Sequence, residues 1–177
     1  RSFAQGVPEQ HWHLFYSRGI THDQIGDWAA AEQDFKTALT YRPNNSFVLN
    51  YLGFGWAERN IHLNKSLEYL EKAARQSPQD GHIVDSLGWV LYKLGRYEAA
   101  IPPLEKAILY LPYDATINEH LGDAYWQVGR HREARFQWKR ALNHLDQKAA
   151  SDLKTRLHHK LVNGLKDDRV RAAETDI

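Results

Sequence analysis

Apolar side chains along this chain recur at three- and four-residue spacing in short runs, and the runs come in pairs separated by polar breaks. That spacing places the apolar positions on one face of a helix, so an all-α fold is predicted. Prolines recur at the same period, with Pro8, Pro43, Pro78 and Pro112 separated by 35, 35 and 34 residues, the last three each closing a pair. A glycine lies inside the first run of each pair and an alanine or serine near the start of the second, as Gly19 with Ala31, Gly53 with Ser66, Gly88 with Ala100 and Gly122 with Ala134. Small residues there let two helix axes approach closely, and a proline ends the second helix because it has no N–H to continue the ladder. Paired helices at a period near 34 residues predict tandem stacking into a superhelix, each pair resting on its neighbours.

The register gives four helix-turn-helix units, at 12–45, 46–80, 81–114 and 115–146. In the first, Phe15 and Phe35 fill the space between the helices, and Gly26 takes the left-handed conformation that ends the leading helix. The second is one residue longer, with Asn60 where a glycine is expected, so an enlarged left-handed turn is predicted. In the third, Pro102 and Pro103 lie past the first turn of the second helix, where Pro103 is expected to remove one hydrogen bond and bend it. The fourth closes on Asp146 rather than proline. A further helix, at 147–165, carries Leu153, Leu157, Leu161 and Leu165 at four-residue spacing. It is predicted to cap the last unit with its leucines while Lys154, Arg156, His158, His159 and Lys160 face water. Residues 1–11 read as the stump of an earlier unit or as a linker, and 166–177 as a frayed tail.

Composition narrows the function classes. The 23 basic and 22 acidic side chains leave a net charge of +1, which gives no electrostatic case for nucleic acid. Without cysteine there is no disulfide frame, thiolate metal site or cysteine nucleophile. No apolar run approaches the roughly 20 residues that span a bilayer. The chain starts at Arg1 and contains no methionine, so it is expected to be a piece of a longer protein, which leaves room for a targeting segment upstream.

In a stack of this kind the leading helices line the concave side through repeat positions 2, 5, 9, 12 and 13, counted from Trp12, Ser46, Gly81 and Ala115. Those positions give a candidate protein-binding groove containing Tyr16, Asn50, Phe54, Asp85, Trp89, Tyr92, Glu119, Asp123 and Trp126, with His13, Ile20 and Asp23 on the same face. Aromatic anchors with interspersed acids suit a partner segment bearing apolar and basic residues. Single rings of the set also read as packing between adjacent leading helices. Glu119 and Asp123, four apart, have the minimum spacing for a carboxylate pair, but surface charge accounts for them better, and no catalytic residue is assigned. Adjacent histidines point to different helix faces and no HExxH occurs, so neither metal nor cofactor is expected. Arg132, Arg135, Lys139 and Arg140 fall on a second helix and read as a solvated outer face.

The small residues, the left-handed glycine and the closing proline are the grammar of the tetratricopeptide repeat, an α-solenoid. The wording of HWHLFYSRGITHDQIGDWAAAEQDFKTAL, DGHIVDSLGWVLYKLGRYEAA and INEHLGDAYWQVGRHREARFQWKRAL further resembles the C-terminal repeats of a group of proteobacterial tetratricopeptide proteins. That group is similar to outer-membrane tetratricopeptide lipoproteins that act as adaptors for carboxy-terminal processing proteases. The resemblance implies a non-enzymatic periplasmic adaptor that holds a protease or its substrates. A general assembly scaffold, cytoplasmic and with another client, is the alternative. The lysine, asparagine and arginine slots of chaperone-tail clamps are filled here by aromatics and acids, with Asn50 alone matching in type.

Overall fold

The computed structural model describes residues 11–145 and 151–165. Among them the chain forms nine helices and no strand: α1 Trp12–Gln24, α2 Trp28–Tyr41, α3 Ser46–Glu58, α4 Leu63–Gln76, α5 Gly81–Lys93, α6 Tyr97–Tyr110, α7 Ala115–Gln127, α8 His131–Asn143 and α9 Ser151–Asn163. The first ten residues, where most of the stump or linker falls, and the tail at 166–177 lie outside the described residues, as do residues 146–150 ahead of α9.

Local chemistry fixes the helix ends. Asn45 Oδ1 accepts from the N–H groups of Phe47 and Val48, and Asp80 Oδ1 does the same for His82 and Ile83, so unpaired donors of the first turn are satisfied. Asp27 and Asp114 cap α2 and α7 in the same way. The turn after α3 is left-handed at Asn60, as its sequence predicts, and again at His62, with φ of 52° and 50°. Two non-glycine residues in that region are the conformational cost of the extra residue in this turn. Helix α6 continues through both Pro102 and Pro103.

The chain divides into two compact units, 1–78 and 79–177. In the first, α1 pairs with α2 and α3 with α4, and Ala31, Phe35, Ala38, Val48, Leu52 and Trp56 form the core. In the second, α5 pairs with α6 and α7 with α8, and α9 packs on α8. Its larger core joins Ala100, Leu104, Leu121, Ala134, Trp138, Ala141 and Leu157, with Leu153, Leu161 and Leu165 against it. The glycines inside the leading helices mark the closest approaches. A Cβ on Gly88 would lie 2.5 Å from Leu104 Cγ and 3.2 Å from the Ala100 carbonyl, so the α5–α6 spacing depends on its absence.

Candidate partner-binding surface

In the first unit, α1 and α3 place their polar and aromatic side chains around an open cleft of about 540 Å³, lined by Asp23, Tyr51, Phe54, Gly55, Glu58 and Arg59. Phe54 is half-buried and Tyr51 and Glu58 are exposed. Arg59 organises the rim: its Nη2 donates to Asp23 Oδ1 at 2.7 Å, its Nη1 to the Gly55 carbonyl at 3.1 Å, and its guanidinium lies 4.0 Å from the Trp28 ring centroid. Tyr16 lies one helix pair back. It meets Tyr51 edge-on at 5.4 Å and Phe35 at 6.3 Å, so it packs between helices. Asn50, half-buried, carries a buried Oδ1 with no hydrogen-bond partner among the described residues.

The repeat positions single out Asp23, Phe54 and Glu58 but not Tyr51 or Arg59. Tyr51 sits one residue beyond a groove position and Arg59 just past the end of α3, so a face defined by helical period alone misses both.

The second unit treats the corresponding positions differently. Asp85 on α5 is buried, and both its oxygens lie 3.0 Å from Nδ1 of His120 on α7. The His120 ring stacks on Trp89 at 3.9 Å, and Trp89 stacks on Tyr92 at 4.8 Å. Trp89 is therefore 9% exposed, and Tyr92 is half-buried. Burial alone would lower the His120 pKa, but the charge and hydrogen bond of Asp85, with Asp123 and Glu119 nearby, outweigh it and raise it.

One helical turn on, Glu119 and Asp123 are also buried, and α9 supplies their partners. Arg156 donates twice to Glu119, at 3.2 and 3.0 Å. Lys160 Nζ reaches Glu119 at 2.7 Å and both Asp123 oxygens at 2.8 and 2.7 Å, while Trp138 Nε1 donates to Asp123 at 2.9 Å. Burial pushes the Glu119 carboxyl up, but Arg156 and Lys160 more than compensate and hold it below its usual range. For the more enclosed Asp123, burial wins and its pKa is raised. Trp126 donates through Nε1 to the Leu165 carbonyl at 2.9 Å and stacks on His131 and Trp138.

These contacts correct two readings of the sequence. Surface charge does not account for Glu119 and Asp123, because both carboxylates lie inside the protein. Nor does α9 turn all its bases to water. Lys160 is buried against the two acids and Arg156 is tied to Glu119, whereas Lys154, His158 and His159 are exposed. Among the described residues, no group of three His, Asp or Glu side chains could hold a metal ion, and no helix is long and apolar enough to cross a membrane. The carboxylates are committed to cations of the same chain, an arrangement suited to fixing helices rather than to moving protons.

Comparison with known proteins agrees with this architecture. A curated relative, the TPR repeat-containing protein PA4667 of Pseudomonas aeruginosa, is 32% identical over 83 residues, which is 47% of this chain but only 14% of the relative. Among solved structures, MamA AMB-1 is 26% identical with a TM-score of 0.59, the match covering 81% of this chain and 78% of that one. Another MamA crystal structure, 20% identical with a TM-score of 0.67 over 96% of this chain and 88% of its own, shows the same fold. The tetratricopeptide repeat profile matches residues 62–115 and 86–150, together just over half of the chain. With its stacked helix pairs, close-approach glycines and matched profile, the chain belongs to the tetratricopeptide repeat family, whose members are typically non-enzymatic protein-interaction modules.

Proposed function

We propose that this chain is a non-enzymatic scaffold of the bacterial envelope, periplasmic and outer-membrane associated in its full-length form, that holds a carboxy-terminal processing protease or the protease's substrates. The observation carrying the binding role is the open cleft of the first unit, where Phe54 and Tyr51 stand beside Asp23 and Glu58. Rings edged by carboxylates suit a partner segment with an apolar anchor and a basic neighbour. In the second unit, Tyr92 and Trp126 are the half-buried members of the candidate set, and the buried Asp85, Glu119 and Asp123 serve by holding their helices in register. The protease assignment rests on the resemblance of the repeat wording alone.

The test is calorimetric titration of the full-length protein with the carboxy-terminal processing protease of the same organism. Binding that weakens on the order of tenfold in Phe54→Ala supports the reading, since hot-spot rings carry losses of that size. Absence of protease binding by the parent protein would remove the adaptor role. Protease binding that ignores Phe54→Ala would instead remove the cleft.

A further inference from the structure

The bases of α8 gather around a ring that the fold leaves outside. Arg132, Phe136, Lys139 and Arg140 fall at i, i+4, i+7 and i+8, one stripe of the helix, and Phe136 is 58% exposed. Beside it opens a cleft of about 520 Å³ lined by Tyr125, Arg132, Glu133, Phe136 and Gln137. Gln137 is 9% exposed, and its Oε1 has no hydrogen-bond partner among the described residues. The strip continues past the end of the helix. Arg140 lies 5.9 Å from the Phe136 ring and donates to the Pro112 carbonyl at 2.8 Å, and the neighbouring Tyr113, 68% exposed, packs on His144 at 4.7 Å.

Many cations of the chain are held by acids or rings. Arg18 is matched by Asp34, Arg59 by Asp23, Arg130 by Glu133, and Lys160 by two acids. Arg135 is engaged over the Trp126 ring. Arg132 and Lys139, which flank Phe136, make no ion pair among the described residues. An exposed aromatic between two cations that make no ion pair presents half of a complementary interface, with the charge of Arg132 offset in part by Glu133 at the cleft wall.

We propose that this face of α8 docks an acidic segment of a partner protein, with an apolar side chain seated against Phe136 and a carboxylate on either side. The site is separate from the cleft at Phe54. At 1.5 Å rise per residue, Arg132 and Lys139 stand about 10 Å apart along the helix, which sets the distance the two carboxylates must span. A helical partner meets it with Glu, Leu and Glu at i, i+4 and i+7. Glu133 and Glu105, paired with Arg130 at the same edge, disfavour a polyphosphate chain and favour a discrete acidic motif.

The test is an NMR titration of the whole chain with an alanine-rich helical peptide carrying Glu, Leu and Glu at those spacings, against a control with both Glu replaced by Lys. Shifts centred on α8 with the Glu peptide, weak ones with the Lys peptide, and affinity reduced on the order of tenfold in Phe136→Ser are expected. The double variant Arg132→Glu with Lys139→Glu should reverse the preference between peptides. Phe136 is exposed, so these variants keep the fold, which circular dichroism verifies. Equal response to both peptides, shifts outside α8, or affinity unchanged by Phe136→Ser would overturn the proposal. So would saturation of α8 by phosphatidylglycerol vesicles or a single-stranded oligonucleotide with no response to the Glu peptide.

Discussion

The leading helices of the two units carry polar and aromatic side chains at the same repeat positions, yet the two units use them in opposite ways. In the first unit Asp23 and Arg59 pair at a partly open rim, with side chains about one-third exposed, and Phe54 and Tyr51 border accessible space. In the second, Asp85, Glu119 and Asp123 are enclosed and answered by His120, Arg156 and Lys160 from the next helix along the stack. A groove position in this fold is therefore only an opportunity. Whether it recognises a partner or locks a helix depends on what the following helix places opposite it.

The sharpest way to break this contrast is to remove one cation from each unit. Lys160→Ala takes the ammonium away from buried Asp123 and leaves Glu119 to Arg156 alone, and chemical denaturation should show a loss of about 3–5 kcal/mol, the range for an uncompensated buried charge. Next in size is Gly88→Leu, where a side chain must enter space held by Leu104 and the Ala100 carbonyl. Overpacking of that kind costs about 1–3 kcal/mol, and a variant as heat-stable as the parent would contradict the α5–α6 spacing described.

A third prediction uses pH. The His120 pKa is raised above its ordinary 6.5, so its contribution is fully present below that value and is lost as pH rises through the higher folded value. Glu119 has the opposite sign: its pKa is lowered from 4.5, so its contribution is present above 4.5 and is lost as pH falls through the lower folded value. Thermal unfolding followed against pH should show the alkaline decline in the parent protein and a flatter curve in His120→Gln. The smallest effect is expected in the first unit. Arg59→Ala breaks a partly exposed pair and a contact with Trp28, for a loss of roughly 1 kcal/mol or less in the same denaturation assay.

Most of the fold is legible in the sequence because its determinants are local. The proline ladder, the glycines opposite bulky residues and the leucines of α9 each act within one helix pair or between neighbours, so period and residue size suffice to find them. Asn60 was readable for the same reason: few side chains tolerate its backbone conformation. The site is less legible. Helical period puts Asp85, Glu119 and Asp123 on one face, but their burial is decided by His120, Arg156 and Lys160, which lie 35 to 41 residues away along the chain. Lys160 illustrates the difficulty. Placed by period on the polar side of a cap helix, it reads as solvated, and only the acids on α7 make its burial possible. Tyr51 and Arg59 lie outside the face that helical period defines, because the cleft uses residues at the margin of that face.

The account depends most on the carboxylates of the second unit being structural partners of α9 rather than exposed groove charges. A double-mutant cycle on Lys160 and Asp123, run by chemical denaturation beside an identical cycle on Arg59 and Asp23, measures this directly. The predicted result is a coupling energy for Lys160 with Asp123 well above the roughly 1 kcal/mol ceiling of exposed pairs, and a coupling for Arg59 with Asp23 at or below it. Equal, small couplings in both cycles would contradict the account and return Glu119 and Asp123 to the surface of the groove.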